Sequence, residues 1–155
     1  MIKRFKESDA KEVSELIART LREVNIADYS VEYIENDIKI LTPEYLIERS
    51  KLTHSYVVYE DEKIVGCGSI GPYWGSQEES SLFTIFVLPE YQGKGIGRKI
   101  INTLEKDEYF LRAKRVEIPA SITACQFYRK LGYDYKNGIN KVDDEQLYRL
   151  EKIRK

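Results

Sequence analysis

The stretch Leu82-Phe83-Thr84-Ile85-Phe86-Val87-Leu88-Pro89-Glu90-Tyr91-Gln92-Gly93-Lys94-Gly95-Ile96-Gly97-Arg98-Lys99 decides the reading of this chain. Its first half is strongly apolar and reads as a central strand that stops at a proline. Glycines then fall at alternate positions, and an amphipathic helix follows, with Ile96, Ile100 and Leu104 at four-residue spacing and Ile101 beside them. Glycines at a helix start remove Cβ atoms where backbone N–H groups have no partner within the helix. Such a turn is a cup of donors at the positive end of the helix dipole, suited to a phosphate or pyrophosphate. Arg98 and Lys99 add positive charge beside it.

Working outward, the sequence predicts a first strand over residues 1–5 and a helix opened by Asp9 and Glu12 as a capping box. The core face of that helix is Val13, Leu16, Ile17, Leu21 and Val24. A second helix is expected over 31–41, and Thr42-Pro43 opens a third. Residues 55–59 and 64–70 form an antiparallel hairpin across a tight link. Downstream of the glycine turn, residues 115–118 read as a strand parallel to 82–87, because a helix connects the two. Ser121 caps a further helix whose inner stripe is Ala124, Phe127, Tyr128 and Leu131, with Gly132 as its C-cap. Segments at 133–135 and 147–150 close the sheet around Asn137-Gly138. The fold class is α+β: a mixed, mostly antiparallel central sheet with one parallel βαβ unit, flanked by helices.

Composition narrows the function. The 155 residues are expected to form a single domain, 1–155. Apolar residues are 42% and charged residues 33%, an ordinary soluble balance, and the net charge of −1 gives no global pull toward nucleic acid or a membrane. No apolar run has the length of a membrane span, and no apolar leader opens the chain. Cys67 and Cys125 are too few for a disulfide framework and read as reduced, buried small hydrophobes, which points to a cytoplasmic protein. His54 is the only histidine, so no metal site is expected. Its position at the start of a strand suits a surface or capping role.

The glycine turn alone leaves three readings open. It is a purely structural turn, a dinucleotide loop of an oxidoreductase with Glu117 as the ribose-binding acid, or a pyrophosphate site for another nucleotide carrier. The spacing G-x-G-x-G, with Ile100 where a third fingerprint glycine belongs, weakens the dinucleotide reading.

Val87-x-Pro89-x-Tyr91-Gln92-Gly93-Lys94-Gly95-Ile96-Gly97 resembles the acyl-CoA signature of the GCN5-related N-acetyltransferases, Gln/Arg-x-x-Gly-x-Gly/Ala. Ala124-x-x-Phe127-Tyr128-x-Lys130-Leu131-Gly132-Tyr133 resembles that family's second motif. The resemblance implies the acyl-CoA N-acyltransferase fold, in which the strand before the glycine turn carries a bulge and splays from its parallel neighbour. It implies acetyl-CoA as cosubstrate, its pantetheine arm on the backbone of Ile85, Phe86 and Val87. Its pyrophosphate would lie on the N–H groups of Gln92, Gly93, Lys94, Gly95, Ile96, Gly97, Arg98 and, flanking them, Lys99. Ser121 occupies the place where many relatives carry a cofactor-contacting asparagine. Tyr128 matches the tyrosine that protonates the leaving thiolate, and Val87 N–H is a suitable oxyanion donor. Ser81 stands where histone-acetylating members carry a glutamate base. Glu79, on the same strand face, and Glu78 beside it are the substitute candidates, acting through a water chain, and deprotonation of the amine by bulk water is the alternative.

The implied activity is transfer of an acetyl group to a primary amine by direct attack; a noncatalytic acyl-CoA sensor is the rival. The acceptor pocket is expected from residues 25–41, 73–79 and 137–146. Tyr29, Tyr33, Tyr73 and Trp74 are its expected walls, and Asp28, Glu32, Glu35, Glu78 and Glu79 its negative charge, suited to a cationic small molecule or peptide amine. Monomer and homodimer both fit.

Overall fold

The computed structural model describes residues 1–154. In chain order its elements are β1 (Ile2–Arg4), α1 (Ala10–Glu23), α2 (Val31–Ile40), α3 (Pro43–Ser50), β2 (His54–Glu60), β3 (Lys63–Pro72) and β4 (Glu79–Val87). There follow α4 (Ile96–Leu104), α5 (Glu108–Leu111), β5 (Arg115–Ser121), α6 (Cys125–Lys130), β6 (Asp134–Tyr135) and β7 (Leu147–Ile153). The strands form one seven-stranded sheet in the order β1-β2-β3-β4-β5-β7-β6. Only β4 and β5 pair in parallel; every other pair is antiparallel. This is the expected α+β arrangement. The hairpin between β2 and β3 turns on Asp61 and Glu62, both at positive φ, which matches the twist of its strands.

Helices cover both faces. The α4 stripe of Ile96, Ile100, Ile101 and Leu104 is buried, each side chain contributing roughly 1.5–3 kcal/mol. Gly68 lets that helix lie close, since a Cβ there would sit 2.6 Å from Ile100 Cγ2. On the other face Val13 of α1 and Leu46 of α3 flank Cys67, the neighbour of Gly68 in the alternating strand.

Two local expectations fail. Asp9 and Glu12 do not form a capping box on α1. Asp9 Oδ2 instead accepts from Lys6 N–H at 2.9 Å, and Glu12 Oε2 accepts from Ile64 N–H at 2.8 Å, which ties α1 to β3. The inner stripe of α6 is Cys125 and Tyr128, whereas Phe127 is 36% exposed. His54 does take a capping-type place: its Nδ1 lies 2.9 Å from Asp107 Oδ2, and Asp107 Oδ1 accepts the Tyr109 N–H that opens α5. Among the described residues, no helix is long and apolar enough to cross a membrane, and no His/Cys/Asp/Glu group could hold a metal ion.

Candidate active site

The site begins with a break in the sheet. Strands β4 and β5 pair only at Glu79↔Arg115, Ser80↔Val116 and Ser81↔Glu117, although β4 runs on to Val87 and β5 to Ser121. The cause lies in β4. Its register against β3 slips between Phe83 and Phe86, which inserts one extra residue, and Thr84 sits at φ 53°. A bulge of this kind bends its strand and ends pairing. The Cys67 thiol donates to Thr84 O at 3.4 Å from below. Beyond the bulge, Leu88 N–H pairs with Val65 O at 2.9 Å, so by alternation Val87 N–H points away from β3 and into the gap.

The glycine turn stands at the end of this gap. Gly93 and Gly95 have φ of 76° and 84°, and Gly95 is the N-cap of α4. Among the described residues, the backbone N–H groups of Gly93, Lys94, Gly95, Ile96, Gly97 and Arg98 have no partner. The cup is shorter at both ends than the motif suggested. Gln92 N–H is spent on Pro89 O, and its side chain donates to Val87 O at 3.0 Å. Lys99 N–H is spent on Gly95 O inside the helix. A Cβ at Gly97 would stand 3.0 Å from Phe127 Cζ, so Phe127 covers the first turn of α4 instead of filling the core.

Gap and turn open into one cleft of about 610 Å³. Ile85, Phe86, Val87, Gln92, Gly93, Gly95, Gly97, Arg98 and Ser121 all line it, while Lys94, Ile96 and Lys99 do not. Ile96 is core, and the Lys94 ammonium lies over the Tyr91 ring. Ser121 Oγ accepts from Ala124 N–H at 3.1 Å, the local capping role its residue type favours. Tyr128 lines the cleft with the residue only 5% exposed, and no side-chain hydrogen bond holds its hydroxyl; since no buried side-chain oxygen lacks a partner among the described residues, that hydroxyl reaches the open space of the cleft. Burial, and then the nearby Cys67, push its pKa well above that of an ordinary phenol, so it stays protonated.

A sheet whose two parallel strands part at a bulge, above a helix start with free N–H groups, is a specific combination. Residues 51–135 match the model of the acetyltransferase (GNAT) domain. The chain belongs to the GNAT acetyltransferase family. Its fold is that of solved GNAT proteins. The PaiA N-acetyltransferase from Thermoplasma acidophilum, in complex with coenzyme A, superposes with a TM-score of 0.83 at 20% identity, over 99% of this chain and 98% of that one. A GCN5-related N-acetyltransferase from Rhodopseudomonas palustris gives 0.81 at 20% identity, over 99% and 94%. A GNAT family acetyltransferase from Brucella melitensis, in complex with acetyl-CoA, gives 0.65 at 21% identity, over 97% and 86%. No curated protein matches the chain in sequence.

Within this GNAT fold several expected acceptor residues are elsewhere. Glu79 is bound to Arg115 at 2.9 Å on the paired half of β4, does not line the cleft, and has its pKa lowered by that hydrogen bond, which makes it a poor base. Glu117 is 1% exposed and faces Arg115 at 2.8 Å, Lys136 at 2.9 Å and Arg149 at 3.9 Å, so it is no ribose ligand. Tyr73 lies between Arg115 and Lys136, and Trp74 is 89% exposed; neither lines the cleft. From residues 25–41 the cleft takes Asn25, Tyr29, Tyr33, Ile34, Asp37 and Leu41. Asp37 was not among the acids singled out from the sequence.

Proposed function

We propose that this protein transfers the acetyl group of acetyl-CoA to a primary amine in a direct attack, residues 1–155 acting as one catalytic unit in the cytosol. The observation that carries the reading is the pairing of an open strand gap with six free N–H groups at the glycine turn. The residues fit the group. An amide-bearing arm adds to unpaired backbone as an extra strand would, and a pyrophosphate takes up orphan donors at a helix start. Acetyl-CoA supplies an activated thioester.

The chain supplies the rest. Val87 N–H, aimed into the gap, is a donor for negative charge growing on a carbonyl oxygen. Tyr128 Oη keeps its proton at neutral pH and lines the cleft, and it gives that proton to the departing sulfur. The free amine adds to the carbonyl carbon, and the C–S bond then breaks as the sulfur takes the Tyr128 proton; of the two protons the ammonium gives up in all, one goes to water and one restores the Tyr128 phenol by way of solvent. No carboxylate is assigned as base. Glu79 stays in its ion pair, and an amine of ordinary pKa, about 10, keeps a small free fraction at neutral pH.

Thiol release from acetyl-CoA across a panel of primary amines tests this. Tyr128→Phe should leave acetyl-CoA affinity unchanged and lower kcat by roughly 10- to 1000-fold. Equal turnover in the Phe variant reduces Tyr128 to packing. Tight acetyl-CoA binding with no amine ever consumed marks a noncatalytic binding module.

A further inference from the structure

Charge around the cleft is sparse and uneven. Among the described residues lining it, Arg98 is the only cation and Asp37 the only carboxylate. Arg98 stands in the first turn of α4, at the free N–H groups. Asp37 stands on α2, one helical turn past Tyr33 and one turn before Leu41, which also line the cleft. The site thus carries positive charge where a diphosphate fits and negative charge on a different wall.

Asp37 also differs from the acids around it. Asp28 accepts from Thr123 Oγ1 at 2.7 Å, Glu35 holds Arg22, Glu78 holds Lys114 and Glu79 holds Arg115. The carboxylate of Asp37 has neither a hydrogen bond nor an ion pair among the described residues. Burial and then the Glu145 carboxylate push its pKa up, and no cation opposes them. A half-buried, unpaired carboxylate is held at a disadvantage that a bound cation removes.

Its surroundings are rigid and aromatic. The rings of Tyr29 and Tyr33 stack at 4.3 Å. Their hydroxyls donate to Gln146 O at 2.8 Å and Glu145 O at 2.7 Å, and Tyr29 Oη also accepts from Ile122 N–H. Such rings offer faces to an alkylammonium without losing much freedom.

We propose that Asp37 seats a second positive charge of the acceptor, so that the amine acetylated is one end of a di- or polycation. This rests on the acetyl-transfer reading for the reacting end, but the seat itself is tested by binding alone. Calorimetric titrations of the full chain, with and without saturating CoA, compare pentylamine with cadaverine, alkyl chains of equal length bearing one and two ammonium groups. Cadaverine should bind about 10-fold tighter or better. Asp37→Asn should erase the difference, and Asp37→Glu should keep most of it, with CoA affinity and melting temperature unchanged in both. Equal binding of the two amines by the natural protein, or a preference that survives in the Asn variant, overturns the proposal. Failure of CoA to bind, with the cadaverine preference intact, sinks the transfer reading and leaves the seat standing.

Discussion

From Glu79 to Ser81, β4 is joined to β5 by parallel pairing and by side chains. Arg115 reaches Glu79, Glu117 and Glu151 at 2.8–3.0 Å, and Lys136 and Arg149 close on Glu117 from β7 and the loop before it. From Leu82 to Val87 the same strand has no β5 partner, and its polar backbone faces a cleft. One half uses charge to fix the sheet; the other leaves its β5 side unpaired, the side on which the proposed function places the cosubstrate arm. The lesson is that the same strand separates stability from binding along its length, and each half should respond to mutation in its own way.

The sharpest way to break this contrast is at the open end. Gly95→Val forces a β-branched residue to φ 84°, although its Cβ would meet nothing within 4 Å. The helix start must shift, and the orphan N–H groups lose their common direction. Acetyl-CoA affinity should fall by about 100-fold or more, read by calorimetry, with a stability loss of only about 1–3 kcal/mol. Unchanged affinity would show that the turn is structural only.

At the closed end the signs reverse. Glu117→Gln removes a buried charge from three cations, and Lys136 keeps only the Tyr73 hydroxyl, 3.4 Å away. Denaturant unfolding should show a loss of about 2–4 kcal/mol while acetyl-CoA affinity holds. A matching loss of affinity would mean that the halves are coupled.

The smallest effect belongs to Glu79→Gln. Glu79 is partly solvated, so its pair with Arg115 is worth less than about 1 kcal/mol. Arg115 lowers the native pKa of Glu79, so this stability is present above the unfolded carboxylate pKa and is lost as pH falls through the native one. The difference in melting temperature between natural protein and variant should therefore be greatest near neutrality and shrink in acid. A difference that grows in acid would contradict the assignment.

What the sequence disclosed follows the same division. The glycine turn and the parallel βαβ unit were legible because helix starts and strand–helix–strand links have local signatures, whereas Tyr128 was singled out only by its resemblance to a family motif. The bulge had none and was expected only through the family resemblance: Thr84 adopts positive φ with an ordinary β-former's side chain, driven by tertiary pairing on one side only. Phe127 was assigned to the core because α6 is only six residues long, too short for a stripe to fix its own rotation. The acids were misjudged for a related reason. Composition marks Glu35 and Asp37 as equals, and only the fold reveals that Arg22 reaches one of them and no cation reaches the other. Asp9 and Glu12 likewise satisfied a local capping pattern but were recruited by groups outside α1.

The two cysteines carry a practical consequence. Both are buried, and burial raises both thiol pKa values, that of Cys67 to about 12. A thiolate-seeking chromogen added to the native protein should therefore register only sulfur freed during turnover, with almost no background from the polypeptide. The same dye becomes a sensitive reporter once the chain is unfolded, so one reagent can follow both the reaction and the integrity of the sheet beneath the bulge.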